Sequence, residues 1–379
     1  MRQRRIAIVY DWMDSWGGVE RMLLVLHEMF PEAQWYTSYV DYKKAAWIPD
    51  QVRDDIVKTS FIQNLPTFIK SNRIRSLPLY PLAFESMDLR GYDLVISVSS
   101  SFAKSIITHP GTKHICILLT PTRWLWTQEN NYKKETTALA VLTEPLRNLS
   151  VSHLKQWDYV AAQRPDKIIS ISNVVAERCK KYYQRESEVL YPPFDFEYWK
   201  SFISNRKSQS ESFESDYFLI VSRLEPYKRV DLAMKAFSEF PSKQLVIVGK
   251  GTQASKLKKN AGQNIRFIHD VTDLELSQLY TNAEALIMPQ EEDFGYVALE
   301  AQFFGCPVIA YGKGGATETV VKGKTGLFFS QQTARSLGDA VAQFERSKYN
   351  LGVSQAFLKK FSTKQFKSKL HLLIEREQL

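Results

Sequence analysis

The sequence predicts an α/β protein built from two doubly wound, Rossmann-like domains. Three observations carry this. The second half alternates short strand-like runs with amphipathic helical runs; the first half repeats that habit less regularly; and a polar stretch, Ser201–Ser215, with six serines in fifteen residues, separates them. Such βαβα order demands parallel strands, because parallel neighbours cannot be joined by a tight turn and need a crossover, usually a helix.

In chain order, the first half opens on the strand Ile6–Tyr10, followed by a helix over Val19–Phe30 with apolar residues at helical spacing. Further strands are predicted at Trp35–Tyr39, Leu94–Val98, Ile115–Leu119, Lys167–Ile171 and Glu188–Tyr191. The second half begins with the strand Tyr217–Val221 and a helix over Val230–Phe240. Strands then fall at Leu245–Val248, Ile265–His269, Ala285–Met288, Pro307–Ala310 and Gly326–Phe329. Helices between and after them cover Thr252–Ala261, Asp273–Asn282, Tyr296–Phe304, Ala316–Val321 and Thr333–Arg346. The expected division is a first domain over 1–195, a linker over 196–215, a second domain over 216–360, and a helix over 361–379 packing back on the first domain. Ligands of this architecture sit at the carboxyl ends of the strands.

The 379 residues, 44% hydrophobic and 24% charged, suffice for two such cores and exclude disordered, collagenous and disulfide-stapled classes. No run approaches the roughly 18 apolar residues of a spanning helix, and the start Met1-Arg2-Gln3-Arg4-Arg5 leads into only a short apolar run, so a cytoplasmic protein is expected. Cys116, Cys179 and Cys306 lie far apart in apolar contexts and read as core thiols. The six histidines show no metal-ligand spacing, and no Asp-x-Asp occurs. A formal charge of +9 favours an anionic partner, whether nucleic acid, a phosphorylated ligand or a membrane face.

Three segments carry candidate chemistry. In Glu291-Glu292-Asp293-Phe294-Gly295, a strand ends in three acids just before a helix, and Glu300 falls inside that otherwise apolar helix. The acids either cap the helix and complement its dipole or serve a ligand; capping leaves Glu300 unexplained. Ser222-Arg223-Leu224-Glu225-Pro226-Tyr227-Lys228 also joins a strand end to a helix, the usual place for a phosphate, and Arg223 with Lys228 would suit a diphosphate. The other reading is a solvated basic loop. Gly17-Gly18, between the first strand and the first helix, permits close backbone approach but lacks both the dinucleotide and the P-loop spacing. Gly249-Lys250-Gly251 reads as mainly structural, while Gly314-Gly315 is placed to offer N–H groups to a ligand.

This order of motifs resembles the retaining GT-B glycosyltransferases of family four (group 1), most strongly from Tyr217 to Phe329. The family's Glu, seven residues, Glu is matched by Glu292 and Glu300, followed by Gly305-Cys306-Pro307-Val308-Ile309-Ala310 and Gly314-Gly315-Ala316-Thr317-Glu318. Ser222-Arg223-Leu224 through Lys228 looks like its diphosphate clamp, Gly17-Gly18 like its amino-terminal glycine loop. Thr120-Pro121-Thr122-Arg123-Trp124-Leu125-Trp126 and Trp157-Asp158 are most similar to mannosyltransferase-like members that build bacterial surface polysaccharides such as lipopolysaccharide. Relatives commonly carry His just before the Thr-Pro; here Leu118-Leu119 stands there.

The resemblance implies two domains facing a central cleft, with acceptor bound by the first and donor by the second. It implies transfer of a hexose from a nucleotide diphosphate sugar with retained configuration and without a metal. GDP-mannose is the favoured donor; a UDP-linked glucose, galactose or hexosamine is the alternative, as is a catalytically silent nucleotide-sugar-binding scaffold. Arg223 and Lys228 would stabilise the leaving diphosphate, Glu292 would hold the sugar hydroxyls and Glu300 the ribose, and backbone N–H groups at Phe294 and Gly295 would touch the sugar. The acceptor would be a glycan or a lipid-linked one.

Phe61–Phe84 mixes Lys70, Arg73 and Arg75 with large apolar side chains, which reads either as a peripheral contact with the inner membrane face or as a helical hairpin with a solvated basic side. No zinc finger, RNA-recognition signature or basic helical run supports nucleic acid as a partner.

Overall fold

Residues 4–45, 57–127, 151–204, 216–349 and 357–377 are described by a computed structural model. They form two units, Met1–Pro193 with Phe366–Leu379, and Phe194–Gln365.

In the first unit the strands are β1 (Ile6–Tyr10), β2 (Gln34–Thr37), β3 (Val57–Thr59), β4 (Leu94–Ser99), β5 (Lys113–Leu118), β6 (Lys167–Ser170) and β7 (Glu188–Val189). Their order is β3-β2-β1-β4-β5-β6-β7, and every pairing is parallel. β4 is buried along its whole length, as a strand covered on both faces must be. The crossover from β1 to β2 is the helix Gly18–Met29, which turns Met22, Leu23, Val25 and Leu26 inward. β3 escapes sequence reading because three residues, Val57-Lys58-Thr59, at the sheet edge give no alternation to detect.

The Pro-punctuated segment forms short helices, Thr67–Lys70, Arg73–Ser76 and Tyr80–Glu85, in place of one amphipathic helix. Pro66 and Pro81 fall at helix starts, where the missing N–H costs nothing. Tyr80 and Phe84 anchor the segment in the core with Phe102, stacked 4.8 Å from Tyr80, while Phe68, Ile74 and Leu82 stay exposed.

The second unit repeats the plan with β8 (Tyr217–Val221), β9 (Gln244–Val248), β10 (Ile265–Ile268), β11 (Ala283–Met288), β12 (Val308–Tyr311) and β13 (Gly326–Phe329), all parallel, in the order β10-β9-β8-β11-β12-β13. Helices Val230–Phe237, Ala254–Lys259, Asp273–Asn282, Tyr296–Phe303, Ala316–Thr319 and Ala334–Gln343 occupy the expected places, most ending sooner than their apolar pattern. Gly326 has a packing reason: a Cβ there would lie 2.0 Å from Val308 O.

The segment 196–215, expected as a linker, begins differently. Phe196–Ser204 is helical, with Asp195 accepting from Tyr198 N at 3.0 Å and Trp199 buried against Phe304 at 5.6 Å between rings. Phe196, Trp199 and Phe202 recur every three residues, a helical pattern that the serine count obscures. The rest of that stretch, 205–215, lies outside the described residues.

All three cysteines are buried and unpaired, and burial pushes the Cys116 and Cys306 thiols up to about 12 and Cys179 to about 11. They are core groups with little thiolate character. No helix among the described residues is long and apolar enough to cross a membrane.

Candidate functional site

Both sheets reverse direction once. In the first unit the reversal lies between β1 and β4, in the second between β8 and β11, and at such a point the loops leaving the carboxyl ends diverge and open a crevice. What each unit places there decides what it can bind.

In the second unit, the loop after β8 carries Arg223 and Lys228, and the segment after β11 carries Gln290 and Glu292. Lys228 Nζ is ion-paired with Glu292 Oε1, their side chains only 12% and 10% exposed. Gln290 Nε2 donates to the same Oε1 at 2.7 Å. Two sequence-predicted residues, 64 positions apart, are thus joined directly, and Gln290 is a third member that sequence reading missed.

Arg223 stands at the exposed edge of this cluster, donating through Nη2 to Tyr227 OH at 2.8 Å. Lys228 ends a short 3-10 turn, Pro226–Lys228, whose following residue Arg229 is left-handed at φ 52°. Arg229 reaches Gln332 at 3.3 Å, and Gln332 donates to Pro289 O at 2.9 Å, tying the loop after β8 to the chain after β11.

None of the three acids occupies the cap position or the first turn of the helix that follows them. Its cap is Gly295, left-handed at φ 93°, with no side-chain capping bond and no acid in the first turn. Glu292 faces Lys228 and Gln290. A side chain at Gly295 would be strained by its positive φ and would meet Met288 Cε at 3.1 Å. Glu300, inside the helix Tyr296–Phe303, is buried and accepts from Tyr280 OH at 2.8 Å. Phe294 is buried next to Tyr296, 5.2 Å between rings.

Glycines shape this edge by close approach. A Cβ at Gly314 would lie 2.5 Å from Glu292 O, and one at Gly315 2.5 Å from Phe294 Cα. Gly315 N donates to Glu292 O at 2.7 Å, so the N–H expected to be offered to a ligand at Gly315 fixes the acidic loop instead. Gly249 and Gly251 let the loop after β9 lie against Ser222 and Leu224, the structural role expected of them.

The first unit answers its reversal point differently. Asp11, directly after β1, is fully buried and accepts from the backbone N–H of Ser100 (2.6 Å), Ser101 (3.0 Å), Phe102 (2.7 Å) and Ala103 (2.7 Å), and from Ser100 Oγ (2.9 Å). Successive N–H groups of this kind make an anion nest. Here the anion is the protein's own carboxylate, so no phosphate can enter. Gly17 and Gly18 begin the helix Gly18–Met29, whose first turn already holds the buried Glu20, hydrogen-bonded by Tyr10 OH at 3.0 Å. Burial and Glu20 raise the Tyr10 phenol well above its ordinary range.

The Thr-Pro segment is pinned from below. Asp158, buried, pairs with Lys104 at 2.6 Å and accepts from Thr122 Oγ1 (2.9 Å), Trp126 Nε1 (2.7 Å) and Tyr183 OH (2.8 Å). This satisfied network holds the loop after β5 at the carboxyl edge of the sheet. Leu118 and Leu119, at the place before the Thr-Pro, are core residues. Among the described residues no group of three or more His, Cys, Asp or Glu side chains is placed to hold a metal ion.

Residues 202–361 match the family model of glycosyl transferases group 1. The chain is 31% identical over 134 residues to a D-inositol 3-phosphate glycosyltransferase of Mycobacteroides abscessus, covering 32% of this chain and 30% of that protein. It is 26% identical over 257 residues to an alpha-1,3/1,6-mannosyltransferase of Dictyostelium discoideum, covering 56% and 61%. The chain thus spans less than a third of the length of the first of these relatives. In fold it resembles Anabaena Alr3699/HepE, solved with UDP and glucose, at a TM-score of 0.70 and 17% identity over 98% of this chain and 100% of that one. That whole-chain likeness gives the two Rossmann-like units the GT-B architecture.

Proposed function

We propose that this chain is a glycosyltransferase that moves a hexose from a nucleotide diphosphate sugar to a glycan or lipid-linked acceptor, with retained anomeric configuration. The observation that carries it is the Lys228–Glu292–Gln290 cluster at the carboxyl ends of β8 and β11, with Arg223 at its edge. Of the two reversal points, this one offers cations to a diphosphate; the other is filled by Asp11.

In this reading Arg223 and Lys228 take up charge as it develops on the leaving diphosphate, an electrostatic contribution that is worth most where water is excluded. Glu292 accepts from sugar hydroxyls and Glu300 from the ribose, while the N–H groups at Phe294 and Gly295 face the sugar. Neither carboxylate acts as a glycosidase nucleophile, since Glu292 is engaged by Lys228 and Gln290 and Glu300 by Tyr280. One relative's name gives D-inositol 3-phosphate and another's names mannose. The fold neighbour was solved with UDP and glucose, which makes a UDP-hexose the first donor to try and GDP-mannose the second.

Thermal melting in magnesium-free buffer tests this. A nucleoside diphosphate at 100 times its dissociation constant stabilises by about 2.7 kcal/mol. UDP or GDP is expected to raise the Tm and ADP to leave it unchanged; no shift with any of them would remove the donor site.

A second surface supports a lipid-linked acceptor. Phe68, Ile74 and Leu82 are 62%, 79% and 60% exposed on the short helices that also carry Lys70 and Arg75. Apolar side chains beside cations suit the interface of an anionic bilayer. Co-sedimentation with phosphatidylglycerol vesicles is expected and should weaken with salt and in Phe68→Ser/Ile74→Ser. Equal binding to neutral phosphatidylcholine, or none to either, would overturn it.

A further inference from the structure

Lys228 is a cation already matched by an anion. Its ammonium touches Glu292, which Gln290 Nε2 holds in place at 2.7 Å, and both charged side chains are largely buried. Opposite charges in contact present little net charge to a ligand, since the field of one cancels most of the field of the other. An ammonium has three N–H groups, and only one is needed for Glu292, so Lys228 can touch a diphosphate without leaving its partner. The other cation of the cluster, Arg223, meets the neutral hydroxyl of Tyr227. A diphosphate in this site therefore meets a carboxylate as well as two cations.

The two ligands of a transfer cycle differ where that carboxylate stands. In a nucleotide sugar the terminal phosphate oxygen is bonded to the hexose, whose hydroxyls can donate to Glu292. In the free nucleoside diphosphate the same oxygen is bare, adds about one further negative charge, and offers no such hydroxyls. A carboxylate accepts from the first ligand and repels the second.

We infer that Glu292 is the residue by which the site distinguishes the sugar nucleotide from the nucleoside diphosphate left after transfer. It offsets Lys228 and repels the bare phosphate, so the product is held weakly, while the sugar hydroxyls compensate for this in the substrate. The inference rests on the donor-site reading proposed above and adds to it a part in product release.

Glu292→Gln tests it, because the amide keeps the shape and an oxygen that accepts from Lys228 and Gln290, and removes the charge. Calorimetric titrations of wild type and variant with UDP and UDP-glucose, and with GDP and GDP-mannose, give the two affinities in each pair. In the pair that binds wild type, the variant is expected to bind the nucleoside diphosphate about tenfold tighter, as relief of a like-charge contact requires. The sugar nucleotide escapes the same repulsion but loses a charge-assisted hydrogen bond, and its affinity is expected to stay within about twofold. Glu291→Gln, which removes the same charge from the exposed neighbour, is expected to leave the ratio of the two affinities as in wild type. Glu292→Ala carries the comparison if Glu292→Gln does not fold. A nucleoside diphosphate that binds Glu292→Gln no tighter, an equal gain for both ligands, or the same change of ratio in Glu291→Gln would overturn the inference. Failure of wild type to bind any of the four ligands would instead overturn the donor-site reading, and this inference with it.

Discussion

Lys228→Ala is expected to lower kcat/KM for transfer by about 10²–10³-fold, the usual cost of removing a preorganised charge-stabilising group. Two effects combine. The leaving diphosphate would lose a cation, and Glu292, whose side chain is largely buried, loses its ion-pair partner. An uncompensated buried carboxylate tends to reorient or take up a proton, and either change removes the acceptor that is to hold the sugar. The damage therefore reaches a residue 64 positions away in sequence.

Glu292→Ala should lose a comparable factor, and the double variant should be little worse than either single one, because residues acting as a unit are strongly non-additive. Steady-state kinetics on the four proteins closes the cycle. Losses that multiply would mean that the two side chains act independently, and wild-type turnover in Glu292→Ala would remove that residue from the site. Lys228→Arg separates charge from shape: it keeps the cation but not the compact ammonium that fits against Glu292 and Gln290, and is expected to restore nucleotide affinity better than turnover.

The sheets were legible in the sequence because parallel strands covered on both faces read as short continuous apolar runs, such as Leu94-Val95-Ile96 and Tyr217–Val221. β3, three residues with a lysine at their centre, is too short to give this signal. The helix Phe196–Ser204 was lost because its apolar spacing abuts a serine-rich stretch, and composition averaged over the whole outweighed period. Within the site, residue types were legible and pairings were not. Arg223, Lys228, Glu292 and Glu300 stand out by charge at strand ends or inside an apolar helix, whereas Gln290 and Tyr280 carry no local anomaly and are defined by the carboxylates they touch. The three acids precede the helix in sequence but do not stand at its cap position, because the left-handed Gly295 intervenes and turns the chain before the helix begins.

Asp11 was invisible for a related reason: its partners, Ser100 to Ala103, lie about 90 positions away, and a lone acid after a strand has no signature. It is nonetheless the residue whose loss should damage stability most. Asp11→Ala leaves four backbone N–H groups and the Ser100 hydroxyl without their acceptor, most of them inside the fold. Breaking a buried charged network of this kind costs about 3–5 kcal/mol, which lowers Tm by roughly 6–20 °C in a chain with domains of this size. Asp11→Asn should recover little, since one amide oxygen replaces two carboxylate oxygens and the NH2 group meets donors. The same vacated nest would acquire the anion affinity that Asp11 now suppresses. Sulfate, compared with chloride at equal ionic strength, is expected to stabilise Asp11→Ala more than it stabilises wild type, the wild-type shift accounting for its general salting effect. Equal shifts in the two proteins, or an Asp11→Ala variant that melts with wild type, would show that the nest is not closed by Asp11.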